Sequence, residues 1–405
     1  MRRVCWGLLL IFVFAIPWEY SLELGAPFGN IARVTGLVLV LAAVPTILLA
    51  GRMRNLSPLH WLVLALYLWF CCTYFWTLEH HAALEKVRGY FQEMMIVWLV
   101  WEFAESPAEL RELMRAWLAG SWVLAILTVT NLAFTDVSAS GQFRFVPVGQ
   151  DPNDVARFLV FGFPLAALLL SGETRWLGRL LALGYFPMGL AAVLLTASRS
   201  GLLTAAVALA GCGILLLRND ARRVFAGVFV LPVVGSVLWF IAPHETLERL
   251  GTITEQLHRG DLNQRLNIWG AGWRAFVQAP LFGHGAGSFV SAAGLAPTDT
   301  AHNTAVSILV EGGLCALFIA VAIVVVSVRS ALSTKGSMRL ALIVLLAVWI
   351  LSSMIGTVME SRHTWLLLAS IALAGRFAVE VPELLERAFP SVRQSNGLRA
   401  IDGVE

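Results

Sequence analysis

Three side chains of the 405-residue sequence stand where chemistry is possible: Arg199, Arg265 and His302. Arg199 interrupts two apolar runs inside Thr196-Ala197-Ser198-Arg199-Ser200-Gly201. A guanidinium is always charged, and its planar fork fits phosphate oxygens bidentately. An arginine at a membrane boundary can simply snorkel to the headgroups. Here small polar neighbours open a polar pocket, and charges in such places are costly and mark substrate sites. Arg265 has the polar neighbours Asn263, Gln264 and Asn267. Arg274 lies roughly half a turn away from it on one straight helix, so the two cannot aim at one ligand. With Trp273 and Phe276 beside it, Arg274 suits an aromatic face or lipid headgroups. His302 precedes an apolar run. A helix N-terminus there disfavours a cation and holds the imidazole neutral, the form that takes a proton from a hydroxyl. His284, between Gly283 and Gly285, is the competing base, on what reads as a flexible turn.

No metal site emerges from the spacing. Asp151-Pro152-Asn153-Asp154 has no Asp-x-Asp pattern, and the histidines on this side are not at i, i+4. Gly283-x-Gly285-x-Gly287 resembles a phosphate-cradling loop only weakly, because no strand precedes it. No cofactor is implied, so arginines must hold any phosphate charge. Arg88 is a third arginine for that task, and Asn303, His284 and Asp151 complete the candidate site.

The elements that must position these residues are transmembrane helices. Hydrophobic residues make up 58% of the chain and charged residues 14%, and the mean hydropathy is +0.76. A globular domain has roughly 25% charged residues. The composition excludes a soluble globular protein, a disordered chain and a disulfide scaffold. The five cysteines fall in apolar runs and read as packing residues. Twelve apolar runs lie near 4–17, 31–50, 59–78, 87–104, 113–134, 155–171, 180–197, 201–217, 224–242, 303–328, 340–357 and 364–379. The expected fold is all-α and polytopic. Residues 1–380 form one transmembrane domain and 381–405 a cytoplasmic tail.

With the N-terminus inside, 18 of the 29 basic residues fall on the cytoplasmic side, which favours both termini there. The longest loop, 243–301, is then outside, with seven of the eight histidines. Leu262, Leu266, Trp269, Trp273 and Phe276 form one helical stripe in it, ended by Pro280. The stripe predicts a helix lying on the membrane or capping the bundle. Leu247, Leu250, Ile253 and Leu257 predict a second.

Thr196–Gly201, Arg265–Phe289 and His302–Leu317, with the approach Gly149–Asn153, resemble the O-antigen ligase and O-antigen polymerase superfamily of polytopic glycosyltransferases. Ala305 departs from that pattern, where an aromatic residue is common. The resemblance covers about residues 30–380 and implies a type C-like glycosyltransferase fold. It also implies a bacterial inner-membrane location and glycosyl transfer on the periplasmic face. The donor would be a glycan on undecaprenyl diphosphate and, for a ligase, the acceptor would be lipid A-core. By position, Arg199 and Arg265 would bind the diphosphate, with Arg88 as third member, and His302 would be the base. The partners implied are these two substrates and membrane lipids, with no nucleic acid. The second outer loop, about 135–154, is short, which favours a ligase over a polymerase. A protein glycosyltransferase is the other enzyme alternative. A transporter or flippase should show repeated halves with broken helices, and no repeat is visible.

Overall fold

The computed structural model describes residues 1–25, 28–134, 144–172, 176–219, 264–297 and 299–388. Among them no strand forms, and helices carry nearly everything. These are α1 (Arg2–Ala15), α2 (Ile31–Ala50), α3 (Pro58–Thr73), α4 (His80–Phe103), α5 (Pro107–Phe134), α6 (Pro152–Gly172) and α7 (Trp176–Leu195). After them come α8 (Arg199–Asn219), α9 (Arg265–Gln278), α10 (Phe289–Ala293), α11 (Thr304–Ser333), α12 (Gly336–Ile355) and α13 (Arg362–Ala388). A 3₁₀ turn, Ile16–Ser21, extends α1. Eight of the described helical segments are long and apolar enough to cross a membrane. The protein is an all-α, multi-pass membrane protein. Eleven of the twelve apolar runs correspond to helices. The run near 224–242 lies outside the described residues, as do Leu247–Leu257 and the end of the tail.

Two helices form the axis of the bundle. α6 is buried continuously from Val155 to Leu170 and packs on α5, α7, α8 and α12. α13 is buried from His363 to Phe377 and packs on α4 and α11. Apolar residues on all sides suit a helix surrounded by other helices. Gly162 brings α7 against α6: a Cβ there would lie 2.2 Å from Tyr185 Cζ, and the Tyr185 hydroxyl donates to Leu159 O at 2.7 Å. At the far end of α13, the buried Arg376 donates to Trp101 O and Ala104 O, ending α4 with a cation on its last carbonyls.

α11 is broken where the site needs it. Gly313 has φ 66° and ψ −164° inside the helix. The carbonyls of Val310 and Glu311 accept from His284 N (2.8 Å) and Gly285 N (2.9 Å), and Leu314 N donates to Pro280 O at 2.9 Å. Residues 280–285 therefore complete the backbone bonding of the opened turn. This corrects the expected flexible turn. A Cβ on Gly283 would stand 2.5 Å from the Glu311 carbonyl, and one on Gly285 2.4 Å from Thr77 Cα, both at positive φ. The segment is a packed strap, and its glycines serve close approach.

The strap fixes α9, the helix expected from the loop sequence. Its packed face follows the stripe of large residues only in part. Ile268, Ala271, Gly272, Ala275 and Phe276 are buried, whereas Leu266 and Trp273 are exposed. Gly272 explains the choice: an added Cβ would lie 2.7 Å from Val306 of α11. Small residues let the backbones approach, and Leu266, Trp273 and Val277 are left facing outward, as on a helix at a membrane surface.

Candidate active site

The N-terminus of α6 organises the site. Asp151 caps it, accepting from Asn153 N (2.7 Å) and Asp154 N (3.3 Å), with Pro152 at the first helical position. That cap aims the Asn153 carboxamide at the turn before α8. Its oxygen accepts from Ser198 Oγ at 2.8 Å and from Arg144 Nη2 at 3.2 Å. Arg144 Nε also donates to Thr196 O at 3.2 Å. Ser198 Oγ in turn accepts from Gly201 N at 3.1 Å, which makes Ser198 the cap of α8. Arg199 is consequently the first residue of α8, and it is half-buried. Gly201 closes the assembly, because a Cβ there would stand 2.4 Å from Ala156 of α6.

His302 sits in the linker entering α11, clamped on both sides. Trp269 Nε1 of α9 donates to Ala301 O at 3.0 Å. Asn303 caps α11 by accepting from Val306 N at 3.1 Å, and it donates to Met354 O at 3.2 Å. Thr304 Oγ1 donates to Gly356 O and accepts from Val358 N. Between these anchors His302 adopts φ 44°, rare for a residue with a side chain. Such strain persists only where the surroundings over-determine it. Thr300 Oγ1 lies 3.1 Å from His302 Nε2. Arg265 is one helical turn before Trp269, so the indole that pins Ala301 also brings Arg265 to the imidazole.

Electrostatics tie these parts together. His302 titrates below its ordinary value, first because it is partly desolvated and second because of the Arg265 charge. Asp151, Asp154 and Asp299 oppose the shift. Arg265 is itself lowered by burial and favoured by Asp151. Arg265, His302 and the α6 N-terminus thus share one neighbourhood, which also carries the Arg199 turn through Asn153 and Ser198. A neutral imidazole beside a guanidinium group can accept a proton while the cation binds an anion.

Residues 184–321 match the family model described as O-antigen ligase. This supports the O-antigen ligase and polymerase superfamily. The matched stretch runs from within α7 to within α11 and contains Arg199, Arg265 and His302. No curated protein matches the chain.

The remaining candidates of this O-antigen ligase-like chain divide by geometry. Asp151 and Asn303 are caps that hold the backbone beside Arg199 and His302. Arg274 is exposed, on the face away from the packed side of α9. His284 is held by the strap, its Nε2 2.8 Å from Ala275 O, which gives it a structural task and corrects the reading of a poorly held side chain. Arg88 is exposed on α4. Lys86, two residues before it and on the opposite side of α4, turns inward to Glu311 and to Glu360 at 2.6 Å. Asn153, Arg144, Arg157 and Thr300 were not singled out from the sequence. Arg157, almost wholly buried, pairs with Asp154 at 2.5 Å. The Asp151-Pro152 pair, a helix-start signature, was the available signal for Asn153.

Proposed function

We propose that this chain is an O-antigen ligase that moves a polysaccharide from undecaprenyl diphosphate to a sugar hydroxyl of lipid A-core. The site faces the periplasm, with both termini in the cytoplasm. Arg199 and Arg265 hold the diphosphate, and the N-terminus of α8 adds backbone N–H groups. His302 takes the proton of the acceptor hydroxyl as that oxygen attacks the anomeric carbon. The bond from that carbon to the diphosphate oxygen breaks, and undecaprenyl diphosphate leaves with its negative charge held by the arginines. One displacement inverts the anomeric centre. There is no ATP outside the inner membrane, so the donor must carry its own leaving group. No metal is required in this scheme, because the guanidinium groups supply the charge.

The observation that carries this reading is the common neighbourhood of His302 and Arg265 beside the α6 cap that also anchors the Arg199 turn. The test has two arms. Lipopolysaccharide from a deletion strain should lose its whole ladder while lipid-linked polymer accumulates. Single-repeat capping would instead mean a polymerase. In purified enzyme, Arg199→Ala and Arg265→Ala should each cost on the order of 10²-fold in rate. Normal transfer by both variants would sink the assignment.

A further inference from the structure

A cavity of about 510 Å³ lies behind the His302 linker, between α4, α10, the start of α11 and the turn before α13. Thr300, whose hydroxyl is 3.1 Å from His302 Nε2, lines it. Its lining has five carboxylates and two cations. Both cations are already matched. Lys86 lies between Glu311 and Glu360, and Arg362 is paired with Glu19 and donates to Gln92 Oε1 at 2.7 Å. Glu85, Glu93 and Asp299 are left without an ion pair among the described residues. Glu93 is 4% exposed, and its Oε2 has no hydrogen-bond partner. Such an oxygen calls for a donor.

We propose that this acidic cavity is the acceptor pocket and takes a neutral sugar, one without phosphate or carboxylate near the accepting hydroxyl. The inference rests on the glycosyl-transfer reading above and adds to it where the acceptor enters and what charge it bears. Sugar hydroxyls are hydrogen-bond donors, and Glu93 Oε2 is a lining acceptor that lacks one. A divalent cation is disfavoured at Glu311 and Glu360 because the Lys86 ammonium already occupies the place between them. An anionic substituent meets uncompensated negative charge and is rejected. The Thr300 hydroxyl marks where the acceptor oxygen meets the imidazole from the cavity side. The two substrates then approach His302 from regions of opposite charge: the diphosphate from the arginines, the neutral sugar from the carboxylates.

The test uses the full chain in nanodiscs and two probes. One is dephosphorylated core oligosaccharide released from lipid A, and the other is the same oligosaccharide with its primary hydroxyls oxidised to carboxylates. Binding is followed by tryptophan fluorescence and transfer by a gel assay with lipid-linked donor. The neutral probe should bind at least about tenfold tighter than the oxidised one. Glu93→Gln should weaken the neutral probe about tenfold with the donor KM unchanged. Glu85 is exposed at the cavity mouth, so Glu85→Lys should fold and should narrow or reverse the preference between probes. Equal binding of both probes, or unchanged binding in both variants, overturns the proposal even if transfer is intact. Selective binding of the neutral probe with no transfer from donor leaves the pocket standing and removes the transferase reading.

Discussion

Asn153 gives the sharpest test of how the site is built, because it lies off the reaction path and yet joins its parts. Its carboxamide oxygen accepts one neutral bond, from Ser198 Oγ at 2.8 Å, and one charged bond, from Arg144 at 3.2 Å. Loss of the first costs about 1 kcal/mol and of the second about 1.5–3 kcal/mol, so Asn153→Ala releases about 2.5–4 kcal/mol of positioning energy at most. Arg144 keeps its contact with Thr196 O and water reaches the half-buried turn, which trims that figure. Ser198 remains the cap of α8, and the fold should survive. The loss appears as a misplaced Arg199. A shift of about 1 Å in a charge-positioning group costs up to about 10²-fold, so the expected fall in kcat is about 10–100-fold. Asn153→Asp keeps an acceptor oxygen for Ser198 and strengthens the Arg144 bond, and should retain most of the rate. The assay is transfer by purified enzyme at saturating donor, with membrane abundance matched by immunoblot. Wild-type kcat in Asn153→Ala, or equal losses in Asn153→Ala and Asn153→Asp, would refute the claim that the α6 N-terminus positions Arg199.

Further outcomes are expected. Because the His302 pKa lies below 6.5 and the neutral form is the base, the rate should hold at pH 6.5 and fall only as pH drops through that lower value. Arg265→Gln removes the second cause of the lowering and leaves desolvation alone against the three aspartates, so the residual activity should lose some acid tolerance and the acid limb should move to higher pH. Trp269→Phe deletes the bond to Ala301 O, worth about 1 kcal/mol, and should lower kcat severalfold with little change in donor KM; an unchanged kcat would mean the indole does not set the His302 linker. Gly285→Ala places a Cβ against Thr77 at positive φ and should destabilise by at least about 2 kcal/mol, read as a drop in the thermal midpoint in detergent. Reporter fusions at residues 255 and 335 should report opposite sides of the membrane, and the same side for both would overturn the orientation.

The bundle was legible in the sequence because lipid imposes a one-dimensional rule: a spanning segment must be apolar over about 20 residues. Eleven of the twelve runs became described helices for that reason. The rule is blind to which face of a helix turns inward. On α9 the large residues predicted a helix on the membrane or capping the bundle, and the pattern did not show that Ala271, Gly272 and Ala275 pack because small residues admit α11 so closely. Hydrophobicity ceases to separate core from surface when the surface is also apolar. The rule is equally silent on Lys86 and Glu93, which, seven residues apart, share one face of α4.

What the sequence by itself determined is the chemistry on offer. Arg199, Arg265 and His302 are recognisable because charge and imidazole are rare here, and rare residues in apolar surroundings must be satisfied by something. That Arg265 and Arg274 cannot both face one ligand also follows from helical geometry, and the polar neighbours of Arg265 choose between them. Only the tertiary structure decided how these residues meet. The Asn153–Ser198 bridge joins positions 45 apart in the chain, and Trp269–Ala301 joins positions 32 apart. No local pattern encodes such pairs, because each depends on how two helices cross. The acidic cavity is the extreme case. Its carboxylates come from α4, the loops before α11 and α13, and α11 itself, and each alone reads as an ordinary surface or interfacial charge. Packing brings them together and leaves Glu93 Oε2 without a hydrogen-bond partner, and that unmet need exists only in three dimensions.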